Sequence, residues 1–577
     1  MNALPGSPAR ELSAWRARIV LMGLLACFVG LLGRDLYLQG WNTGFLQKEG
    51  DARYSRVIKI TANRGIIADR NGAPLAISTP VESVWADPQD VKITPGQLRR
   101  LSVLLGMRQG GIRRRLDASH RGFVYLKRQL PPAQAAQVMK LGIAGIFLQQ
   151  EYKRYYPAGA VAAHLIGFTN IDDKGQEGLE LAYQNWLAGK AGSKRVIKDR
   201  LGHIVEDVES LQVPQEGRQL TLSIDRNIQY LAYRELKNAV ARHHAKAGSI
   251  IVLNAKTGEV LALANQPSYN PNNRAQFDPN ATRNRAITDA YEPGSTMKPF
   301  TIAAALDAGK VTPDTVIQTA PGTLTIGHAT IHDADAHEQG ALTVSQVIQV
   351  SSNVGAAKIA LMLSPKYLWH MFHALGFGSY PHSGFPGESA GLLRPYAEWR
   401  PIEQATMAFG NGISVSLLQL ARAYTVFANG GVEMPISLLK QDKPRAGVRV
   451  FSAKSTAEVL RMLQRVVKPG GTGPLAQVAG YTVGGKTGTA HKVVNGKYAK
   501  DLYDASFIGL APASRPQLIV AVLIDQPSGR DYYGGEVAAP VFSKVMAGAL
   551  RILGIPPDAP NQRPYRPGEV PLVKEVT

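Results

Sequence analysis

The stretch Glu292-Pro293-Gly294-Ser295-Thr296-Met297-Lys298-Pro299-Phe300 decides how this chain is read. Pro293-Gly294 breaks the backbone and sets Ser295 at a helix start. Lys298 follows three residues later, one helical turn on, so the two side chains share a face. A serine hydroxyl is a poor nucleophile until a neighbouring base takes its proton. Lysine can be that base only as the neutral amine, which burial and nearby positive charge promote. Free backbone N–H groups at the helix start also favour a developing oxyanion.

Two later motifs complete the reading. Ser351-Ser352-Asn353 lies 56 residues beyond Ser295, and Lys486-Thr487-Gly488 lies 135 beyond Ser351. Lys486 would supply positive charge, and Ser351 would pass a proton between Lys298 and a leaving amine. Each motif alone is weak. Ser437-Leu438-Leu439-Lys440 also satisfies Ser-x-x-Lys, and a lone Ser-x-Asn is more often a helix cap. The order of the three, the Pro-Gly turn and the paired glycines Gly484-Gly485 make the joint pattern demanding. Gly480 to Thr487 formally matches a phosphate-binding loop, but Gly488 and the extended run Thr489 to Val494 follow, where that loop needs a helix. His328, His332, Asp333, Asp335, His337 and Glu338 suit zinc by type but lack a ligating spacing, so a polar loop without metal is expected.

The address agrees. Arg10, Arg16 and Arg18 precede an apolar run from Ile19 to Gly33, which Leu36, Tyr37 and Leu38 extend if Arg34 snorkels or pairs with Asp35. A cytoplasmic tail (1–18) and an uncleaved anchor (19–38) are expected, since no Ala-x-Ala-like site follows. The remainder then lies outside the membrane, where ATP is absent. Cys27, the only cysteine, sits inside the run, so no disulfide supports the outer domains. The 65 Lys+Arg against 44 Asp+Glu give a net charge of +21, which suits an anionic partner. No zinc-finger, basic-heptad or RNA-binding signature points to nucleic acid.

With 577 residues, 45% of them hydrophobic, the chain holds two or more folded domains. Residues 39–215 alternate short β-like runs with Gly/Pro turns, including the hairpin signal Asn71-Gly72, and nothing there reads as catalytic. Arg64 and Asp69 read most simply as a solvated salt bridge, and Leu179 to Trp186 has helical periodicity. From about 216 to 555 a strand (Leu220–Asp225), a helix through Ile228, Leu231 and Leu236, and a buried hairpin (Gly248–Asn254 with Val260–Ala264) come first. Long helical stretches follow, then strands at Tyr481–Val483 and Leu518–Asp525, an α+β pattern. Residues 556–577 are Pro-rich and read as an extended tail.

Ser-x-x-Lys, Ser-x-Asn and Lys-Thr-Gly in this order are the signature of penicillin-binding proteins and serine β-lactamases. The chain resembles class B penicillin-binding proteins, the monofunctional peptidoglycan D,D-transpeptidases, from the anchor to about residue 555. Arg64-Gly65, Asp69-Arg70-Asn71-Gly72, Gly178-Leu179-Glu180-Leu181 and Gly410-Asn411-Gly412 carry the likeness. Gly384-Phe385-Pro386-Gly387-Glu388, Tyr533-Gly534-Gly535 and Ala539-Pro540-Val541-Phe542 look most like the division-specific branch.

The resemblance implies an elongated, β-rich, non-catalytic pedestal (39–215). It also implies a serine β-lactamase-like transpeptidase domain (216–555), an antiparallel sheet with helices on both faces. It implies that Ser295, Lys298 and Ser351 are catalytic and that Asn353, Lys486, Thr487, Gly488 and Thr489 bind substrate. Ser295 would attack the D-Ala-D-Ala carbonyl of a stem peptide, with the Ser295 and Thr489 backbone N–H groups as oxyanion hole. β-Lactams would acylate the same serine. The implied partners are peptidoglycan stem peptides, β-lactam antibiotics, a SEDS-type glycan polymerase, other division proteins and the bacterial inner membrane, with the catalytic domain periplasmic and no cofactor. A D,D-carboxypeptidase or β-lactamase-type hydrolase and a non-catalytic β-lactam sensor or scaffold stay open as alternatives. No glycosyltransferase domain is evident before residue 215.

Overall fold

The computed structural model describes residues 14–41, 55–117, 122–198, 204–273, 278–333, 340–571 and 573–574. A helix α1 (Ala14–Leu36) covers the apolar run, and with the turn after it the span Ala14–Gly40 has the length and composition to cross a membrane. Among the described residues none of its side chains is buried, as a lipid-facing helix requires.

The described residues form two compact units. The first draws on Met1–Ala62, Pro80–Glu151 and Lys190–Gln215. It contains an antiparallel three-stranded sheet of Ser55–Ile60, Gly192–Lys198 and Ile204–Gln212. It also contains a helical lobe whose core is Val84, Leu98, Leu101, Leu105, Ile112, Leu126 and Leu130.

The second unit draws on Asn63–Thr79, Tyr152–Gly189 and Glu216–Thr577, so part of the 39–215 region packs with the segment that carries all three motifs. Strand β1 (Ile67–Ala68) pairs antiparallel with residues 74–76 across the Asn71-Gly72 turn and in parallel with β2 (Leu220–Thr221). Gly72 sits at φ +85°, and Asp69 Oδ1 accepts the Asn71 and Ala73 N–H groups, which closes the turn. The run expected as a strand to Asp225 ends at Thr221, because Asp225 caps helix α2 (Arg226–Arg242) by accepting the Asn227 and Ile228 N–H groups.

The central sheet uses β3 (Ala247–Asn254), β4 (Val260–Gln266), β5 (Gly484–Val494), β6 (Lys497–Ala511) and β7 (Leu518–Asp525) in the order β4-β3-β7-β6-β5, all antiparallel. Strands β3, β4 and β7 read as largely apolar runs because both of their faces are covered. Alternate residues point to opposite sides. Ile250, Val252 and Val522 meet α2 and the C-terminal helix Ala539–Ile552, whereas Ile251, Leu253 and Ala521 join the larger core around Phe300. The pseudo-phosphate loop enters a strand at Gly484, not a helix, which removes the nucleotide reading. Leu179 to Trp186 forms two short helices, Gly178–Ala182 and Gln184–Leu187, broken at Tyr183.

Arg64 is not a solvated ion. It is 1% exposed, its Nε donates to Glu180 Oε2 at 2.7 Å, and Arg154 Nε donates to Glu180 Oε1 at 2.7 Å. A carboxylate between two buried guanidinium groups is a desolvated cluster in which each charge depends on the others. Asp69 makes no such pair; it serves the turn and accepts the Arg226 N–H. The tail begins tied down, with Ile555 O accepting Tyr481 OH and Asp558 accepting from Thr482 and Ser514.

Candidate active site

Ser295 lies in a 3₁₀ turn (Gly294–Met297) that runs into an α-helix, Lys298–Asp307. The turn is held from several sides. Thr296 Oγ1 donates to Pro293 O at 2.7 Å and Tyr424 OH donates to Thr296 O at 3.0 Å. A Cβ on Gly410 would lie 2.2 Å from Gly294 O, so the Gly410-Asn411-Gly412 turn can press on the Gly294–Met297 turn only as glycine. Phe300, fully buried, is packed by Tyr424 and Phe427 at 5.2 and 5.3 Å between ring centres. Truncating such a ring costs about 3–5 kcal/mol. That packing fixes the helix that presents Lys298.

Lys298 Nζ donates to Ser295 Oγ at 2.9 Å, to Ser351 Oγ at 3.0 Å and to Ser351 O at 2.5 Å. From β5, Lys486 Nζ reaches the same Ser351 Oγ at 2.8 Å and Thr487 Oγ1 at 3.1 Å. Both amines are fully buried. Desolvation and a second amine on the same hydroxyl both oppose two ammonium ions here. Ser351 itself sits at φ +66°, a conformation that costs a non-glycine residue of order 1–3 kcal/mol. The two lysines on its side chain and Lys298 on its carbonyl hold it there.

Ser352 caps the helix Asn353–Leu361 by accepting the Gly355 N–H at 2.8 Å. Asn353 projects into a cleft of about 210 Å³ lined by Ser295, Thr330, His332, Asn353, Asn411 and Thr489. Across the cleft, Gly488 passes the Pro293–Ser295 turn closely, since a Cβ there would lie 3.0 Å from Pro293 O. Thr487 Oγ1 is 2.6 Å from Thr472 Oγ1, and Thr489 Oγ1 accepts the Gly534 N–H at 3.1 Å. The structure thus brings all eight expected site residues to one place.

Asp333 is what sequence reasoning missed. Its Oδ1 accepts the Asn353 and Val354 N–H groups at 2.6 and 3.0 Å, and its Oδ2 accepts Ser352 Oγ at 2.7 Å. It supplies the carboxylate at the N-terminus of the helix that the Ser-x-Asn motif opens. Asp335, His337 and Glu338 lie outside the described residues, and among the described residues no three His, Cys, Asp or Glu side chains gather as a metal site. The decoy Ser437 and Lys440 do not meet: Ser437 Oγ donates to Leu439 O and Lys440 Nζ to Arg70 O.

Two family models match this chain: the penicillin binding protein transpeptidase domain over residues 248–547 and the penicillin-binding protein dimerisation domain over residues 59–222. The chain belongs to the penicillin-binding transpeptidase family. Among relatives of this family, the probable peptidoglycan D,D-transpeptidase PenA of Neisseria meningitidis is 47% identical over 549 residues, 94% of each chain. The peptidoglycan D,D-transpeptidase FtsI of Escherichia coli K12 is 42% identical over 553 residues, 95% of this chain and 93% of its own. Penicillin-binding protein 3 of Mycobacterium tuberculosis, solved in complex with aztreonam, superposes with a TM-score of 0.69 at 28% identity, covering 88% of this chain and 100% of that one.

Proposed function

We propose that this protein is a peptidoglycan D,D-transpeptidase that cross-links stem peptides through an acyl-serine intermediate. The observation that carries the reading is the shared hydroxyl: Lys298 touches Ser295 Oγ, and Lys298 and Lys486 both touch Ser351 Oγ. In the proposed reaction Ser295 Oγ attacks the D-Ala-D-Ala carbonyl while its proton passes to neutral Lys298 Nζ. The backbone N–H groups of Ser295 and Thr489 receive the oxyanion. Ser351 relays the proton to the leaving D-alanine nitrogen, so the C–N bond breaks to give free D-alanine and a Ser295 ester. An amine on a neighbouring stem peptide then attacks the ester. Its proton returns through Lys298 to Ser295 Oγ, and the new amide leaves. Asn353 binds the donor peptide, Lys486, Thr487 and Thr489 hold its terminal carboxylate, and Gly488 lies in the same substrate-binding strand. A β-lactam stops at the ester.

The relatives' names and the dimerisation-domain match support transpeptidation over hydrolysis. Likeness to FtsI supports septal synthesis as the setting, with a SEDS-type glycan polymerase and other division proteins as partners. The apolar N-terminal helix supports an inner-membrane anchor, and the arginines ahead of its apolar run support a cytoplasmic N-terminus with the catalytic domain periplasmic. The proposed boundaries stay at 39–215 for the pedestal, 216–555 for the catalytic domain and 556–577 for the tail.

The test is intact-protein mass after incubation with a penicillin, alongside transfer of a stem-peptide analogue to an amine acceptor. One adduct per chain, lost in Ser295→Ala, with amide product from the acceptor, is expected. Steady turnover of a chromogenic cephalosporin without amide product would replace the reading with a hydrolase.

A further inference from the structure

Glu292, the residue before the Pro293-Gly294 break, joins three segments of chain that border the cleft. Its Oε1 accepts the Gly412 N–H at 2.9 Å, and Tyr498 OH donates to Oε2 at 2.9 Å and lies 3.2 Å from Oε1. Gly412 belongs to the turn that presses on Gly294 and places Asn411 at the cleft. Tyr498 lies on β6 opposite Val493, at the outer end of the β5–β6 hairpin, beyond the strand residues Lys486 to Thr489. Glu292 is partly buried whereas Tyr498 is 51% exposed, so the acceptor is held in the protein and the donor comes from a solvent-facing arm. Burial pushes the Glu292 carboxyl up, and the Gly412 N–H and Tyr498 hydroxyl pull against that.

We propose that Glu292 is a positioning residue that latches the β5–β6 hairpin and the Gly410–Gly412 turn onto the nucleophile turn, so that the closed latch sets the rate at which Ser295 is acylated. The inference rests on the acyl-serine reading above and deepens it. A transpeptidase must admit a donor peptide and then an acceptor peptide at one serine. An exposed tyrosine on a hairpin arm can release and re-form its bond between those entries without disturbing the buried lysines. The arm beyond Val493 is suited to this: Asn495 to Lys497 are exposed, and the strand partners skip register between His491 and Val493.

The test uses the full-length protein in detergent and a fluorescent penicillin, with stopped-flow separation of initial binding from acylation. Tyr498→Phe removes the hydroxyl, with its bonds to Glu292 and Asn411, but keeps the ring. Glu292→Gln keeps an acceptor for Gly412 and a partner for Tyr498. Tyr498→Phe is expected to slow the acylation step about tenfold, the loss of one hydrogen bond to a charged group. Initial binding and the melting temperature stay close to wild type, and amide exchange of residues 493–498 speeds up. Glu292→Gln is expected to recover most of the rate. An acylation step within twofold of wild type in Tyr498→Phe, or unchanged hairpin exchange in that variant, would overturn the latch. Wild-type protein that forms no adduct would instead overturn the acyl-serine reading.

Discussion

Lys298 and Lys486 donate to one oxygen, Ser351 Oγ, at 3.0 and 2.8 Å, from elements 188 residues apart in sequence. A hydroxyl placed so can take a proton from one amine and pass another on, which neither lysine could do across the gap alone. Replacing Ser351 with alanine keeps the nucleophile and both amines but removes the relay. Acylation of Ser295 by a penicillin is expected to slow by about 10²–10⁴-fold, the usual contribution of general acid–base catalysis. Stopped-flow acylation checks this, and a loss under tenfold would mean that Lys298 works without Ser351.

Asp333 caps the Ser-x-Asn helix with a charged carboxylate. Asp333→Ala removes three hydrogen bonds at once. It is expected to cost about 1–2 kcal/mol of stability and to slow acylation on the order of tenfold to a hundredfold through misplaced Asn353 and Ser351. Asp333→Asn, which keeps one acceptor oxygen, should fall between. Melting temperatures and acylation rates measured side by side check the order wild type, Asn, Ala.

The contrast between Asp333 and Ser295 shows what was legible. Ser295, Lys298, Ser351 and Lys486 could be matched from the order and spacing of three motifs, and the structure brings them into contact. The buried sheet could be found because runs such as Ile250–Leu253 have no polar alternation. Asp333 sits 19 residues before Ser352 in a polar loop, and a carboxylate there is equally compatible with solvent, metal or a cap. Arg64 and Glu180, 116 residues apart, carry no local sign that they will be buried together. Tyr481–Val483 looked like the strand core, but the strand starts at Gly484. Glycines have low intrinsic β-propensity, and Gly485 is tolerated because Phe507 fills the space a side chain would take.

The Arg64–Glu180–Arg154 cluster should dominate the charge contribution to the stability of its unit. Glu180→Gln leaves two guanidinium groups buried without their shared anion, a loss of about 3–5 kcal/mol. The pair Arg195–Glu209, about half exposed on both sides, sets the comparison, and Glu209→Gln should cost under about 1 kcal/mol. Thermal melts of both variants check the difference. A Glu180→Gln melt as mild as the Glu209→Gln melt would show that water reaches the cluster.

Asp504 predicts how stability depends on pH. It pairs with Ala490 across β5–β6, next to Thr489, and faces Lys492 at 3.7 Å with Asp525 opposite on β7. Burial raises its carboxyl from 3.8 to about 7, with Lys492 pulling it down and Asp525 pushing it up. A carboxyl raised on folding holds its proton more tightly in the folded chain than in the unfolded one. Its contribution is therefore complete below about pH 4. It is lost between pH 4 and 7, where the unfolded chain gives up its proton first. Asp504→Asn cannot ionise and leaves Lys492 paired with Asp525. Its melting temperature relative to wild type should therefore rise from pH 5 to about pH 7 and level off by pH 8. Parallel melting curves for the two proteins across that range would show that Lys492 keeps Asp504 ionised in the folded state, with the burial of Asp504 fully offset by that one cation.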